Sequence, residues 1–204
     1  MYVMMNDEIQ QIVSFVAETD KLKLVERTNR LVHAKRRENS AEHSWQVALC
    51  ALLFQEHANE KIDLLKVLSM LLIHDIVEVD VGDVFLHDKH KVEDLYEREL
   101  AAAERLFGIL PNNQAEKFVL LWKEFEMRET PEARFAAALD RLMTPLINAH
   151  SNGGTWKEID VPLEEMLANN NHAQDGSEVV WNLIQGFLQQ GYEKGYINSK
   201  KMLA

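Results

Sequence analysis

A long apolar segment, residues 62 to 73, constrains the fold of this chain more than any other part of the sequence. Almost every position in it that could face a core is apolar, which predicts a helix buried on most of its circumference. We expect this helix to run from about Ile62 to Val79 and to end near Gly82, because glycine is the residue that most often follows a helix C-terminus. The segment therefore predicts a buried helix around which the rest of the chain packs.

The buried segment runs directly into HDIVEVDVGD, residues 74 to 83, which opens with an adjacent histidine and aspartate. Burying the imidazole of His74 and the carboxylate of Asp75 at the end of an apolar helix is costly unless a partner satisfies both groups. A divalent cation is such a partner. The pair therefore raises the question of which other residues could complete a metal site.

The composition favours a helical globular protein. Apolar residues make up 47% and charged residues 27% of the 204 residues, which excludes a disordered chain. Only four prolines and eight glycines are present, and strand-like alternation is rare. We therefore predict an all-α fold in a single domain over residues 1–204, with a metal-site core over about residues 40–150 and C-terminal helices over about residues 160–193 packed on it.

Apolar periodicity and helix start and stop signals predict about seven or eight helices. Besides the helix described above, they cover about residues 7–18, 40–57, 92–107, 162–169 and 177–190, and two more open at Pro111 and Thr130. Asn39 and Glu42 have the spacing of a capping box at the start of the helix over 40–57. Residues 26–39 predict a loop or a short strand pair, and residues 169–176 a loop. Pro145 is expected to kink or end the helix that opens at Thr130.

The net charge of −11 argues against a nucleic-acid polymer as a partner, because the overall field repels polyanions. A small anionic substrate needs only local cations. The segment over residues 27–37 supplies them as Arg27, Arg30, Lys35, Arg36 and Arg37. A solvated basic face is the alternative explanation for the same run.

The single cysteine and the absence of long apolar runs bear on location. Cys50 excludes an internal disulfide, suits a reducing compartment and lies in an apolar run that predicts a core position rather than a nucleophile. The first ten residues lack the pattern of a signal peptide, and no apolar run approaches the roughly 18 residues that span a bilayer. We therefore expect a cytoplasmic protein with no membrane partner.

Three predicted helices place a metal-ligand residue type where an apolar residue is expected, namely His43, the pair His74 and Asp75, and Asp140. Two imidazoles and two carboxylates form a mixed nitrogen and oxygen set that suits a divalent first-row metal such as Mn, Fe, Co, Ni or Zn. The set contains no cysteine, which argues against a closed structural zinc site.

Each of these residues has a simpler explanation when taken singly. His43 would be a surface or capping residue, and the adjacent His-Asp pair a satisfied buried pair. Asp140 would form an ion pair with Arg141 or Lys123. The joint pattern favours the metal site, because all three positions fall at core-facing places in strongly apolar helices.

The order of these ligands resembles the HD-domain superfamily of metal-dependent phosphohydrolases. RRENSAEHSWQVAL and HDIVEVDVGD are similar to segments of the branch that contains the 5'-deoxynucleotidases, and LDRLMTPLINAHSNGGTW resembles a run found in many uncharacterised HD hydrolases. These motifs span roughly residues 22 to 156. The resemblance implies a helical HD-domain fold and a hydrolase.

The resemblance implies one divalent metal ion, which would be Mn, Co, Mg, Ni, Fe or Zn, bound by His43, His74, Asp75 and Asp140. It also implies a catalytic role for Glu78, which stands one helical turn after the histidine of the pair and would orient the attacking water or transfer its proton. His87 and His90 raise the alternative of a second metal. Their loop is a poor match to binuclear relatives, so we favour one ion.

Substrate contacts follow from the same resemblance. Asp83 matches a carboxylate that contacts the substrate sugar, and Arg27 matches an arginine that reaches the phosphate or substrate. Arg37, in the same basic segment, is a further candidate for substrate binding. Thr28 departs from the branch, which usually has a tryptophan shortly after that arginine, so the preference between ribose and deoxyribose does not carry over.

The predicted activity is the hydrolysis of a phosphate monoester in a nucleoside 5'-monophosphate or a similar small phosphorylated metabolite. The alternatives are a phosphodiesterase or a nucleoside-triphosphate hydrolase of the same superfamily, or a non-catalytic module that binds nucleotides. A homodimer is a further expectation from the resemblance. The helices with Trp122, Phe125 and Trp181 could supply its surface, although a core position explains each aromatic more simply.

Overall fold

Helices provide almost all the regular structure over residues 6–84 and 93–199, the two ranges that the computed structural model describes. Eight of these helices have eight or more residues, which confirms the predicted all-α fold of about seven or eight helices. In chain order the elements are α1 (Asp7–Thr19), β1 (Glu26–Arg30), β2 (Arg37–Asn39), α2 (Ser40–Phe54), α3 (Leu64–Ile73), α4 (Glu78–Val81), α5 (Leu95–Phe107), α6 (Asn112–Met127), α7 (Pro131–His150), α8 (Leu163–Asn170), α9 (Ala173–Gly176) and α10 (Glu178–Glu193).

The core consists of two apolar clusters. Helix α7 contributes more buried residues than any other helix to the larger cluster and packs against α2, α3, α6 and α10. Cys50 is buried in this cluster, as predicted, and so is Phe125. The second cluster joins α1 and α5 to the turn after α3 and contains the fully buried Trp122. Trp122 and Phe125 are therefore core residues, and Trp181 packs half-buried against the larger cluster.

The strand pair fixes the start of α2. Strands β1 and β2 are antiparallel, with Glu26 opposite Asn39, and β2 runs into α2 without an intervening loop. The Asn39 side chain accepts a hydrogen bond from the Glu42 N–H, while the Glu42 carboxylate accepts one from the Asn39 N–H at 3.1 Å. The predicted capping box is thus confirmed, and it sets where the first turns of α2 point.

The predicted continuous helix from Ile62 to Val79 is wrong in its second half. Helix α3 ends at Ile73, residues 74–77 form a 3₁₀ turn, and α4 follows for one turn. In a 3₁₀ turn, side chains at positions i and i+3 eclipse, so Asp75 and Glu78 project to the same side. Gly82 ends α4 with φ of 78°, as predicted. Apolar periodicity alone does not reveal this tightening, because both helix types bury the same residues.

Two further predictions in the C-terminal half are wrong, namely the end of a helix at Pro145 and a loop over residues 169–176. Helix α7 does not end at Pro145 but continues to His150. Proline removes one backbone hydrogen bond, and the buried residues on both sides, such as Met143 and Ile147, hold the helix in the core. The predicted loop over residues 169–176 contains α9 instead, whose Ala173 is buried against the larger cluster. A single turn of helix has no periodicity to detect.

Several element boundaries differ by a few residues. Helix α2 ends at Phe54, and a 3₁₀ turn covers the rest of the predicted span to residue 57. The predicted start of a helix at residue 92, together with His87 and His90, lies outside the described residues. Among the residues that the structure does describe, no helix is both long enough and apolar enough to cross a bilayer.

Candidate metal centre and substrate pocket

The structure brings the four predicted metal ligands together. His43 lies at the end of the first turn of α2, His74 and Asp75 follow α3, and Asp140 lies in the middle of α7. His43 Nε2 is 2.9 Å from Asp140 Oδ1, and His74 Nε2 is 3.1 Å from Asp75 Oδ1 and 3.9 Å from Asp140 Oδ1. One ligand atom from each of His43, His74 and Asp75 lies within 4.8 Å of the other two. Residues from three separate parts of the chain thus converge on one buried point.

The hydrogen bonding of His74 leaves a lone pair directed into this point. Its Nδ1 is 2.9 Å from the Leu71 carbonyl oxygen, so Nδ1 carries the proton and donates it. In the neutral tautomer with this donor, Nε2 carries the lone pair, and it is buried with no hydrogen-bond partner among the described residues. The nearby Asp75 oxygen cannot donate a proton when ionised. A cation between them would satisfy both groups.

His43 and Asp140 form a second pair of the cluster. Burial and the charge of Arg27 lower the pKa of His43, so its imidazole is neutral and Nε2–H donates to Asp140. Burial alone would raise the pKa of Asp140, but the hydrogen bond from His43 and the charge of Arg141 hold it well below its usual value. The pair therefore presents a neutral imidazole and an ionised carboxylate, the forms in which both side chains bind metals.

Negative charge exceeds positive charge around the cluster. Four carboxylates lie within 4.0 Å of the Arg27 guanidinium, those of Glu38, Asp75, Glu78 and Asp83. Burial works against the charge of Arg27, but Asp75 and its neighbours raise the pKa above its usual value. Burial raises the pKa of Glu38 to about 7, and burial with the charge of Asp75 raises that of Glu78. A divalent cation would relieve this excess of negative charge, and the residues present therefore fit a metal ion.

Glu78 is held from two sides. Its Oε2 accepts a hydrogen bond from the Ser40 hydroxyl, and its Oε1 lies 3.5 Å from Arg27 Nη1. Ser40 is fully buried at the first position of α2, three residues before His43. The sequence analysis did not identify Ser40, although its i, i+3 spacing from His43 places the two residues on the same face of α2.

Asp83 and Arg27, the two substrate contacts that the resemblance implies, lie beside the cluster and line the same pocket. The Thr28 backbone N–H donates to Asp83 Oδ2 at 3.2 Å, and Asp83 Oδ1 is 3.6 Å from Arg27 Nη1. Asp83 therefore connects the end of α4 to β1. Arg37 lies apart from this group, since its guanidinium donates to the Thr28 carbonyl and lies 3.7 Å from Glu158.

A pocket extends from the cluster towards the C-terminal helices. Arg27, Asp83, Asp140 and Arg141 line its charged end, and Trp156, Ile159, Met166 and Leu188 its apolar end. Arg141 Nε is buried without a hydrogen-bond partner among the described residues and lies 3.8 Å from Asp140 Oδ2. The sequence analysis included Arg141 only as a possible ion-pair partner of Asp140. The apolar wall was not predicted either, because these residues lie more than fifteen positions after Asp140 and no local sequence pattern indicates that they contact the pocket.

Comparison with known proteins agrees with this architecture. Residues 19–181 match the family described as HD domain. A 5'-deoxynucleotidase of Xenopus laevis is 29% identical over 133 residues, covering 65% of each protein, and one from Schizosaccharomyces pombe is 29% identical over 190 residues, covering 89% of this chain and 86% of the yeast protein. The chain thus spans slightly less than two thirds of the length of the frog relative.

A solved structure is more similar still. The crystal structure of a predicted metal-dependent phosphohydrolase from Magnetospirillum magnetotacticum superimposes with a TM-score of 0.88 at 43% identity, covering 95% of this chain and all of the other. The helical fold, the buried His/Asp cluster and the charged pocket beside it place this chain in the class of helical proteins with a candidate metal site. The chain belongs to the HD-domain family within it.

Proposed function

We propose that this protein is a metal-dependent phosphomonoesterase acting on nucleoside 5'-monophosphates or a similar small phosphorylated metabolite. The observation that carries the proposal is the convergence of His43, His74, Asp75 and Asp140 beside a pocket that contains Arg27. The names of the frog, yeast and bacterial relatives support the same chemistry.

One divalent ion would be held by His43, His74, Asp75 and Asp140. It would be Mn, Co, Mg, Ni, Fe or Zn, and a mixed set of imidazoles and carboxylates suits the first-row members of that group. Such an ion supplies a Lewis acid and lowers the pKa of bound water towards neutrality. The hydrogen bond from His74 Nδ1 to the Leu71 carbonyl leaves the lone pair of Nε2 for the ion, and Asp140 offers an ionised carboxylate.

Glu78 would hold and move the proton of the attacking water. Ser40 donates to Oε2, which leaves Oε1 facing Arg27 and the cluster. A raised pKa brings the carboxylate closer to the working pH, where it can accept a proton from water and return it to the departing alkoxide. The rotation of Glu78 is limited because its two oxygens have different partners.

Two cations would bind the phosphoryl group. Arg27 Nη1 points at the carboxylates that would also surround the ion, and Arg141 reaches the same end of the pocket from α7. Their positive charge offsets the charge that develops on the phosphoryl oxygens in the transition state. Asp83 would accept a hydrogen bond from a hydroxyl of the substrate. The Arg37 guanidinium, by its contacts with Thr28 and Glu158, would instead stabilise β1 behind the pocket.

The apolar end of the pocket would receive the organic part of the ester. Trp156, Met166 and Leu188 come from three different elements and are almost fully buried, so they form a packed wall. A substrate group placed against such a wall excludes water from the charged end. This arrangement favours a substrate that carries an apolar ring over inorganic pyrophosphate or a simple sugar phosphate.

A phosphate-release assay tests the proposal. Ribonucleoside and deoxyribonucleoside monophosphates and sugar phosphates are supplied with Mn, Co, Mg, Ni and Zn separately. We expect phosphate release from a nucleoside monophosphate that a chelator stops and that His74→Ala abolishes in a folded protein. Full activity of His74→Ala or of the chelated protein would contradict the proposal. Pyrophosphate, triphosphate or a linear dinucleotide among the products would indicate a different hydrolase.

The proposal includes a homodimer formed through α2 and α3. These helices pack against each other and expose large apolar side chains, with Trp45 63%, Leu53 68% and Leu65 72% exposed. Apolar residues gathered on neighbouring helices are typical of an interface. Light scattering should give twice the chain mass for the wild type and a lower mass for Leu53→Asp. A wild-type monomer at micromolar concentration would refute the dimer.

A further inference from the structure

Four buried polar atoms without hydrogen-bond partners among the described residues lie behind the His/Asp cluster. They are both carboxylate oxygens of Glu38, Nδ1 of His43 and Nε of Arg27. Glu38 Oε2 is 3.9 Å from His43 Nδ1 and 3.9 Å from Arg27 Nε. The side chains of Glu38 and His43 are each only 1% exposed. Buried polar groups are nearly always paired in folded proteins, so the grouping of these atoms requires an explanation.

The protonation of His43 supplies that explanation. Its Nε2 faces Asp140 and is the atom that would bind the ion. A neutral imidazole carries one proton, so the proton must move to Nδ1 when Nε2 gives its lone pair to a cation. A buried N–H then needs an acceptor. Glu38 is the carboxylate that lies within 4.0 Å of Nδ1 in the described parts of the chain.

The strand pair explains how Glu38 reaches this place. Arg27 lies in β1 and Glu38 in β2, and the two strands pair antiparallel through Glu26 and Asn39. Glu38 faces inward, whereas Arg37 before it is half-exposed. Because β2 continues directly into α2, the carboxylate and His43 are connected by a capped helix start rather than by a loop. The chain thus places Glu38 between a proposed metal ligand and a proposed phosphate-binding residue.

We infer that Glu38 is a positioning residue that accepts hydrogen bonds from His43 Nδ1–H and Arg27 Nε–H, so that it orients both residues from behind. The inference rests on the proposed metal site and extends it. A shift of about 1 Å, or one bridging water, converts each 3.9 Å separation into a hydrogen-bonded contact. Carboxylates behind histidine ligands fix the tautomer and the ring orientation, and their removal lowers metal affinity about 10-fold to 100-fold.

Calorimetric titration with Mn²⁺ tests the inference on the wild type and on Glu38→Gln. The variant should bind Mn²⁺ about 10-fold to 100-fold more weakly. Its unfolding temperature in chelator should be unchanged or higher, because the substitution removes a buried carboxylate. A purely structural Glu38 would give the opposite pair of results, namely a lower unfolding temperature with unchanged affinity. That outcome would overturn the inference.

Glu38→Asp decides the question if Glu38→Gln does not fold. It keeps the negative charge but shortens the side chain by one methylene, so we expect it to bind Mn²⁺ more weakly than the wild type. Unchanged affinity in the folded aspartate variant would overturn the inference. In two-bond ¹H–¹⁵N spectra of the Zn²⁺-loaded wild type, His43 should carry its proton on Nδ1. A different tautomer would also overturn the inference.

Two further variants separate the possible failures. Glu42→Gln removes another carboxylate at the start of α2 but one that pairs with Arg36 and the capping box, so Mn²⁺ affinity should not change. A loss as large as that of Glu38→Gln would mean that a loosened helix start explains both results. His74→Ala should lose Mn²⁺ binding. If His74→Ala binds Mn²⁺ normally, the proposed metal site itself is wrong. If His74→Ala loses Mn²⁺ binding but Glu38→Gln binds Mn²⁺ as tightly as the wild type, the proposed metal site is supported and the positioning role of Glu38 is wrong.

Discussion

Arg27 Nη1 lies 2.7 Å from Asp75 Oδ2, so a buried arginine is hydrogen-bonded to a carboxylate of the candidate metal centre. The same guanidinium lies within 4.0 Å of Glu38, Glu78 and Asp83. Arg27 therefore neutralises part of the negative charge that a divalent ion would also neutralise. The arginine and the ion should compete electrostatically while both favour catalysis.

Arg27→Gln should change stability and metal response in opposite directions. Without its cation the group of carboxylates repels itself, and the free energy of unfolding in chelator should fall by about 3–5 kcal/mol. The stabilisation produced by Mn²⁺ should increase, while phosphate release falls about 100-fold or more. Thermal unfolding with and without Mn²⁺ measures the first two effects. A smaller Mn²⁺ stabilisation than in the wild type would contradict the proposed competition.

Arg30→Gln is the matched control for that experiment. Arg30 lies in the same strand, but it pairs with Glu158 at 2.8 Å on the surface, where both side chains are partly exposed. Surface ion pairs contribute about 0–1 kcal/mol. We therefore expect little change in stability, Mn²⁺ response or activity.

Ser40→Ala should weaken catalysis through Glu78. The Ser40 hydroxyl donates to the Glu78 carboxylate and lowers its pKa, against the larger effect of burial. Its removal should raise the pKa of Glu78 further, so that the acidic limb of the kcat/KM profile moves to higher pH. Ser44→Ala removes another buried hydroxyl of α2 that donates only to the Ser40 carbonyl, and it should leave the profile in place. Equal profiles for both variants would show that Ser40 does not act on Glu78.

Protonation of Glu38 should stabilise the metal-free protein, and this contribution should be lost as pH rises from about 5 to about 8. Glu38 has an ordinary pKa of 4.5 and a pKa of about 7 in the fold, because burial disfavours its charge. The folded state therefore binds the proton more tightly, and this contribution is complete below pH 4.5 and is lost as pH rises through 7. Glu99, whose pKa burial and Glu126 also raise to about 7, acts in the same direction.

Glu38→Gln should flatten this dependence. One pKa unit corresponds to about 1.4 kcal/mol. The free energy of unfolding of the variant should therefore exceed that of the wild type by up to about 3 kcal/mol at pH 8 in chelator, and by little at pH 4. Chemical denaturation across this pH range measures the difference. Parallel stability profiles for the wild type and Glu38→Gln between pH 5 and pH 8 would exclude a protonated Glu38 in the metal-free fold.

Two glycines of α10 should respond in opposite ways to alanine. A Cβ on Gly191 would lie 2.6 Å from the Trp156 ring and 2.9 Å from Ile197, whereas a Cβ on Gly186 would meet nothing within 4 Å. Gly191→Ala should therefore destabilise the protein by about 1–3 kcal/mol through overpacking. Because Trp156 also lines the pocket, the KM for a nucleotide should rise. Gly186→Ala should stabilise α10 by up to about 1 kcal/mol without a change in KM.

The order of helices could be predicted from the sequence, because the apolar periodicity and the start and stop signals of a helix lie within a few neighbouring residues. The apolar run before His74, the capping box at Asn39 and the glycine after α4 each act over a few residues. The tightening of the chain at residues 74–77 could not be predicted, since α-helical and 3₁₀ turns bury the same apolar positions. Helix α9 and the passage of α7 through Pro145 depend on packing against residues distant in the chain, so local patterns did not predict them.

The residue types of the candidate site could be predicted from local sequence, because a histidine or aspartate in the middle of an apolar helix needs a partner that satisfies it. The sequence identified His43, His74, Asp75 and Asp140, and their convergence is visible in the fold. Ser40 and Glu38 look like ordinary residues of a helix start, and Trp156 like part of a turn. The burial of Glu38 behind His43 and the place of Trp156 in the wall of the pocket became visible only in the folded chain. Burial and the distances between side chains far apart in the chain set these properties, and no local pattern encodes them.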